Sequence, residues 1–150
     1  MTEREYHNLL AIDTSSKHLV LGLMFGGDRL VQSDNVVEKS HGVILLKKIE
    51  ELMQSADLSV DLLQGIVVCT GPGSFTGLRI GLAAAKGMAI AAGLPVVGIS
   101  LFDLFAYKMS GREERLHLLL PSRRGEWYLG TCEAGVLGAE NIHVVGEAEL

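Results

Sequence analysis

Four glycines punctuate one short run, Gly71-Pro72-Gly73-Ser74-Phe75-Thr76-Gly77-Leu78-Arg79-Ile80-Gly81, and no other feature constrains this chain as tightly. The apolar stretch Gly65-Ile66-Val67-Val68-Cys69 precedes it, and Leu82-Ala83-Ala84-Ala85-Lys86-Gly87-Met88-Ala89 comes after it with helical character. The order is therefore strand, glycine-rich turn, helix. Such a turn aims backbone N–H groups at the helix N-terminus toward an anion or a close-packed neighbour. Glycine inside an exposed helix costs about 1 kcal/mol against alanine. Gly77, Gly81 and Gly87 each carry that cost, so a packing reason is expected for them.

The flanking sequence supplies the frame. Asn8-Leu9-Leu10-Ala11-Ile12 is a short buried-type strand that ends at the turn signal Asp13-Thr14-Ser15-Ser16. Leu19 to Phe25 and Arg29 to Val36 form a hairpin through Gly26-Gly27-Asp28. Helical periodicity runs from Gly42 to Gln54, with Leu45, Leu46, Ile49, Leu52 and Met53 as the expected core stripe. Val43 and Ile44 fall outside that stripe beside Lys47, Lys48 and Glu51, either as ordinary surface or as part of a contact patch. Gly93-Leu94-Pro95 stops the glycine-bearing helix; Val96 to Ile99 is a fifth strand, and Ser100 caps a helix through Tyr107 to about Met109. Leu116 to Leu120 and Glu126 to Cys132 read as a second hairpin, past the polar segment 111–115. Three strands and then alternating helices and strands predict an α/β fold with a mixed sheet, the outline of the ribonuclease-H-like half of actin-type proteins.

With 48% hydrophobic and 21% charged residues, 150 residues can bury a sizeable core, as one domain or as one lobe plus part of another. Residues 1–112 read as the first lobe and 113–150 as the start of a reduced or truncated second. A net charge of −5 argues against autonomous binding to nucleic acid, and Lys47-Lys48 and Arg123-Arg124 are too small to reverse that. Cys69 and Cys132 lack C-x-x-C spacing and read as reduced thiols of a cytoplasmic protein. The polar N-terminus 1–5 has no signal-type apolar region after it, and no apolar run approaches a membrane span.

Chemistry is sparsely marked. The 71–77 loop lacks the Gly-Lys-Ser/Thr of a Walker loop and the spacing of G-x-G-x-x-G. Asp13, with Thr14 and Ser15, either holds Mg²⁺ and phosphate or closes a local turn onto its own backbone. The five histidines show no metal-ligand spacing, and His41 reads as a surface or capping residue. Ser74 lies in a sharp turn but not in a G-x-S-x-G elbow, and no general base is marked. On the second helix, Gly77, Gly81 and Ala84 share one side with Ala85 nearby, which would let another helix approach closely, whether within the chain or from a second one. Arg79, Ala83, Lys86 and Ile90 share a different side. A cation in the first helical turn is disfavoured by the helix dipole, so Arg79 is expected to have a carboxylate partner or a bound anion.

With these residues placed, the chain resembles the TsaB (YeaZ) family. The resemblance rests on Ala11-Ile12-Asp13-Thr14-Ser15, on His41 leading the first helix, on the run Gly71 to Gly81 with Lys86-Gly87-Met88-Ala89, and on Pro95-Val96-Val97-Gly98-Ile99-Ser100. It covers about residues 8 to 132. It implies an actin-like ATPase-type fold without a catalytic centre, acting as the dimerization subunit in bacterial tRNA threonylcarbamoyladenosine synthesis. The implied partners are a TsaD-like catalytic subunit, a TsaE-like ATPase reached through the complex, and a second copy; tRNA is met only indirectly and a membrane not at all. The implied contact surface is the first two helices: His41, Val43, Ile44, Leu45, Lys48, Arg79, Ile80, Gly81, Ala83, Ala84, Lys86 and Gly87. A bulky residue at Gly81 or Ala84 is then expected to break association and leave the fold intact. No resident cofactor is implied, beyond weak ATP or ADP and Mg²⁺ contacts at Asp13, Thr14, Ser15, Gly71, Gly73 and Ser74. The alternative reading is a nucleotide-binding or ATP-hydrolysing enzyme of the actin-like superfamily. Two departures stand out. Pro121-Ser122 replaces the family's usual Asp-Ala before Arg123, and members usually run well past 200 residues.

Overall fold

The computed structural model describes residues 7–37, 40–109, 115–132 and 140–149, so the polar segments at 1–5 and 111–114 lie outside the described residues. Strand β1 (Leu9–Asp13) lies at the centre of a five-stranded sheet, with β2 (His18–Phe25) and β3 (Arg29–Val36) on one side and β4 (Gly65–Cys69) and β5 (Val96–Ile99) on the other. β1 runs antiparallel to β2 and parallel to β4, with Leu10 opposite Leu23 and Ile66, so the sheet is mixed as expected. Alternation decides which face is covered. Leu19, Leu21, Leu23 and Phe25 of β2 are all buried, as are Leu10, Ile12, Ile66 and Val68. Burying each such side chain contributes about 1.5–3 kcal/mol.

Helices α1 (His41–Ser55) and α2 (Phe75–Ala92) pack on this sheet and on each other, α1 against β2 and β3, α2 against β4 and β1. α1 begins one residue earlier than its periodicity predicts, and His41 is buried rather than a surface or capping residue. Its ring Nε2 lies 3.3 Å from the His18 carbonyl of β2, which accepts from it. With His41 turned inward, the buried stripe runs His41, Leu45, Ile49, Leu52 and Met53. Leu46 lies about 100° further round the helix and is 62% exposed, whereas Ile44 packs on the core. The expected places of these two residues are thus exchanged.

α2 ends at Gly93 in the left-handed conformation, φ 67°, and both Gly93 and Leu94 donate to the Ala89 carbonyl. By length and composition, α2 is long and apolar enough to cross a membrane, contrary to the reading of the run lengths. Part of its apolarity has a local cause, because Gly77, Gly81, Ala85 and Ala89 are buried on its inner side while Arg79 and Lys86 stay exposed.

By internal contacts the chain divides into two units. One comprises the residues up to Thr70 and Ser74–Gly98; the other is Gly71–Gly73 with Ile99–Leu150. In the second unit, α3 (Leu101–Lys108) starts in a capping box: Ser100 Oγ accepts from the Asp103 N–H at 3.0 Å and Asp103 accepts from the Ser100 N–H at 3.2 Å. The expected hairpin is β6 (Leu116–Pro121) with β7 (Glu126–Cys132), and β8 (Glu140–Gly146) adds a third, antiparallel strand that the sequence pattern did not announce. Gly130 of β7 leaves room for the Phe102 ring of α3; a Cβ there would lie 2.6 Å from it.

Candidate functional site

The glycine run resolves into two structural tasks. Gly77 and Gly81 sit on the β1–β2 turn: a Cβ on Gly77 would overlap the Thr14 carbonyl oxygen, and one on Gly81 would overlap the Thr14 hydroxyl. Thr14 is 1% exposed, and its Oγ1 donates to the Gly77 carbonyl at 2.8 Å. Ser74 caps α2 through its Oγ, which accepts from the Gly77 N–H, while its own N–H donates to the Ser15 carbonyl at 2.6 Å. Gly81 is therefore a packing residue inside the chain, not a free small-residue surface for another helix. The expectation that a bulky residue there would spare the fold is corrected accordingly. Ala85 and Ala89 on the same side are also buried, and Ala84 is half-buried against the core.

Gly87 is different. A Cβ at that position would meet nothing within 4 Å. Its helix-weakening effect therefore has no explanation among the described residues. It belongs to an outward strip of α2 with Arg79, Ala83 and Ile90, the last 84% exposed. α1 lies alongside, with Val43 78% and Leu46 62% exposed. Phe75, also exposed, begins the strip. Of the residues singled out from sequence, Val43, Arg79, Ala83, Lys86 and Gly87 are exposed, and Ile80 is half-buried against Gly42. Leu45 and Gly81 are consumed by the core and by Thr14, and His41 by β2. Lys48 is held 2.7 Å from Glu51, whose carboxyl stays below its usual range through that hydrogen bond. The sequence reading missed Leu46 and Phe75, since neither fits a surface role until the rotation of α1 and the start of α2 are known.

Charge on this surface is unevenly placed. The Arg79 guanidinium lies 5.3 Å from the Phe75 ring centroid and makes no ion pair among the described residues, so of its two expected partners, a carboxylate or a bound anion, the carboxylate is not found among them. α2 carries no acidic residue in its first turn, so the dipole term there, about 0.3–1 kcal/mol, is left unrelieved. At the opposite end, a groove of about 830 Å³ opens between α1 and α2. Leu46, Ile49, Met53, Leu58 and Met88 give it apolar walls, and among the described residues its charged lining is Glu50 and Asp61. Asp61 accepts from Ser59 Oγ at 2.6 Å, which holds its carboxyl below the usual range.

The residues considered for nucleotide are arranged for local purposes. Asp13 Oδ1 accepts from the Ser15 N–H at 2.8 Å, closing an Asx turn. Thr14, Ser15 and Ser74 are taken up in joining that turn to the start of α2. Gly71 and Gly73 belong to the other unit, where Gly71, at φ 96°, accepts from the Leu101 N–H at 2.7 Å. That φ requires glycine. Among the described residues no three His, Cys, Asp or Glu side chains are grouped as a metal would need.

Comparison with known proteins gives a consistent result. The family model described as TsaD, tRNA N6-adenosine threonylcarbamoyltransferase, matches residues 33–148. The tRNA threonylcarbamoyladenosine biosynthesis protein TsaB of Bacillus subtilis is 30% identical over 122 residues, covering 81% of this chain and 53% of that protein. The TsaB protein of Haemophilus influenzae is 34% identical over 92 residues, covering 61% of this chain and 39% of its own length. The chain thus spans about half the length of these curated relatives, or less. Among solved structures, a protein from Pseudomonas aeruginosa described as having similarity to peptidase YEAZ superposes with a TM-score of 0.80 at 28% identity, over 93% of this chain and 66% of that one. The actin-like α/β architecture expected from the sequence is the one observed.

Proposed function

The chain belongs to the tRNA N6-adenosine threonylcarbamoyltransferase family as a TsaB (YeaZ)-type member, and we propose that it is a non-catalytic subunit that holds its partner through the outer faces of α1 and α2. The partner is a TsaD-like catalytic subunit, with a TsaE-like ATPase joining through the complex and tRNA contacted indirectly. The observation that carries this reading is Gly87, a glycine in the middle of an 18-residue helix with open space where its Cβ would be. A partner helix crossing there would need that space, and the exposed Val43, Leu46 and Ile90 would be covered by it. An interface of this kind requires on the order of 800 Å² per partner, which two adjacent helices of 15 and 18 residues can offer.

Light scattering of the protein mixed with a TsaD-like subunit tests this. A stable complex is expected, and two independent species at micromolar concentration would refute the reading. The enzyme alternative is tested separately by calorimetry with ATP and Mg²⁺. On the scaffold reading any heat is weak and survives Asp13→Ala, because Asp13 serves its own turn. Submillimolar binding lost in Asp13→Ala would favour the nucleotide-dependent enzyme.

A further inference from the structure

A second exposed element, independent of the α1–α2 face, is strand β3, which forms one edge of its sheet. β3 pairs with β2 in unbroken antiparallel register, from Phe25 opposite Arg29 to His18 opposite Val36. One residue further on, the Val37 N–H donates to the Lys17 carbonyl at 2.9 Å. Backbone groups point alternately to the two sides of a strand. Asn35, Ser33 and Val31 therefore also bond β2, while Leu30, Gln32, Asp34 and Val36 aim their N–H and C=O groups away from it. No described strand takes these groups up. The side chains of the same four residues are exposed, Leu30 at 66% and Val36 at 62%. Natural edges are guarded by Pro, Lys or a bulge, and β3 has none of the three. Its one carboxylate, Asp34, places Oδ1 2.7 Å from Nδ1 of His18.

We propose that two copies of this chain join their sheets edge to edge, β3 pairing antiparallel with β3 about a two-fold axis through Ser33. In that register Leu30 of each copy stands opposite Val36 of the other, and Gln32 opposite Asp34. Each such pair exchanges two backbone hydrogen bonds, about eight in all. Leu30 and Val36 cover one another, and the Asp34 carboxylate meets an amide that can donate to it. An axis through Gln32 would instead set Leu30 against Asp34, and one through Asp34 would bring two carboxylates face to face. An axis between two residues would oppose the outward groups to groups already bonded to β2. Ser33, a small residue, occupies the close position on the axis where no hydrogen bonds are exchanged. A strand from another protein would have to match this pattern, whereas a second copy carries it by symmetry.

Oxidative cross-linking and sedimentation equilibrium of the 150-residue protein test the pairing. Ser33→Cys should give a covalent dimer about tenfold faster than Gln32→Cys or Asp34→Cys, since of the three positions only 33 faces its own copy. Equal rates, or a rate no greater than that of the unsubstituted chain, would overturn the register. Gln32→Pro removes an N–H that faces away from β2, so the fold should hold while the dimer dissociation constant rises about 100-fold. Leu30→Lys and Val36→Glu should each weaken the dimer about tenfold, and their equimolar mixture should recover affinity, because the two substituted positions stand opposite one another. A constant unchanged by all three substitutions, or a chain that stays monomeric at its highest soluble concentration, would overturn the dimer. Self-association lost in Gly87→Trp but kept in Gln32→Pro would overturn the β3 edge and leave the α1–α2 face standing.

Discussion

Gly77→Ala is expected to destabilise the first unit by about 3 kcal/mol or more, because the added methyl has no escape from the Thr14 carbonyl oxygen of the β1–β2 turn. Against a total stability of about 5–15 kcal/mol, that is a severe loss. Gly81→Ala should be milder, since what it meets is the Thr14 hydroxyl rather than backbone. Adding Thr14→Ala removes that hydroxyl and should recover part of the loss. Recovery stays incomplete because the bond to the Gly77 carbonyl, worth about 1 kcal/mol, is also gone. The same Thr14→Ala should not rescue Gly77→Ala. Urea unfolding of the five proteins, including the Thr14→Ala single variant, checks the set. An unchanged midpoint for Gly77→Ala would contradict the packing account.

Gly87→Trp should do the opposite. With nothing within 4 Å of its Cβ position, the indole projects into solvent and the unfolding midpoint should not fall. Binding to the TsaD-like subunit should weaken by about 100-fold or more, as expected when a central, closely approached position is overfilled. Gly87→Ala supplies the control, raising stability by about 0.5–1 kcal/mol through helix propensity alone. Surface plasmon resonance beside thermal unfolding separates the two effects. Unaltered affinity for Gly87→Trp would remove the surface from consideration.

The contrast between these glycines explains how far the sequence could be read. Strand order, the hairpin at Gly26-Gly27-Asp28, the stop at Gly93 and the Ser100 cap were legible because each depends on local backbone chemistry. Spacing alone could not separate Gly77 and Gly81 from Gly87, for all three weaken a helix equally. Their roles differ only through Thr14, about sixty residues away in sequence for Gly77. Leu46 and Ile44 were exchanged for a similar reason: His41 turns inward to reach β2, and that rotation is a tertiary effect. Arg79 was recognised as a cation in an unfavourable place, yet its neighbour Phe75 was not, since an aromatic at a helix start has no distinctive pattern. β8 escaped because its apolar Ile142, Val144 and Val145 stand among Glu140, Asn141, His143 and Gly146, which blunt the strand pattern.

Hydrogen exchange of the chain, alone and mixed with a TsaD-like subunit, tests the central claim most directly. The account predicts new protection on α1 and α2, strongest around Val43–Leu46 and Ala83–Ile90, with the β6–β8 sheet unchanged. Protection appearing on β6–β8 instead, while α1 and α2 exchange as they do in the free chain, would contradict it.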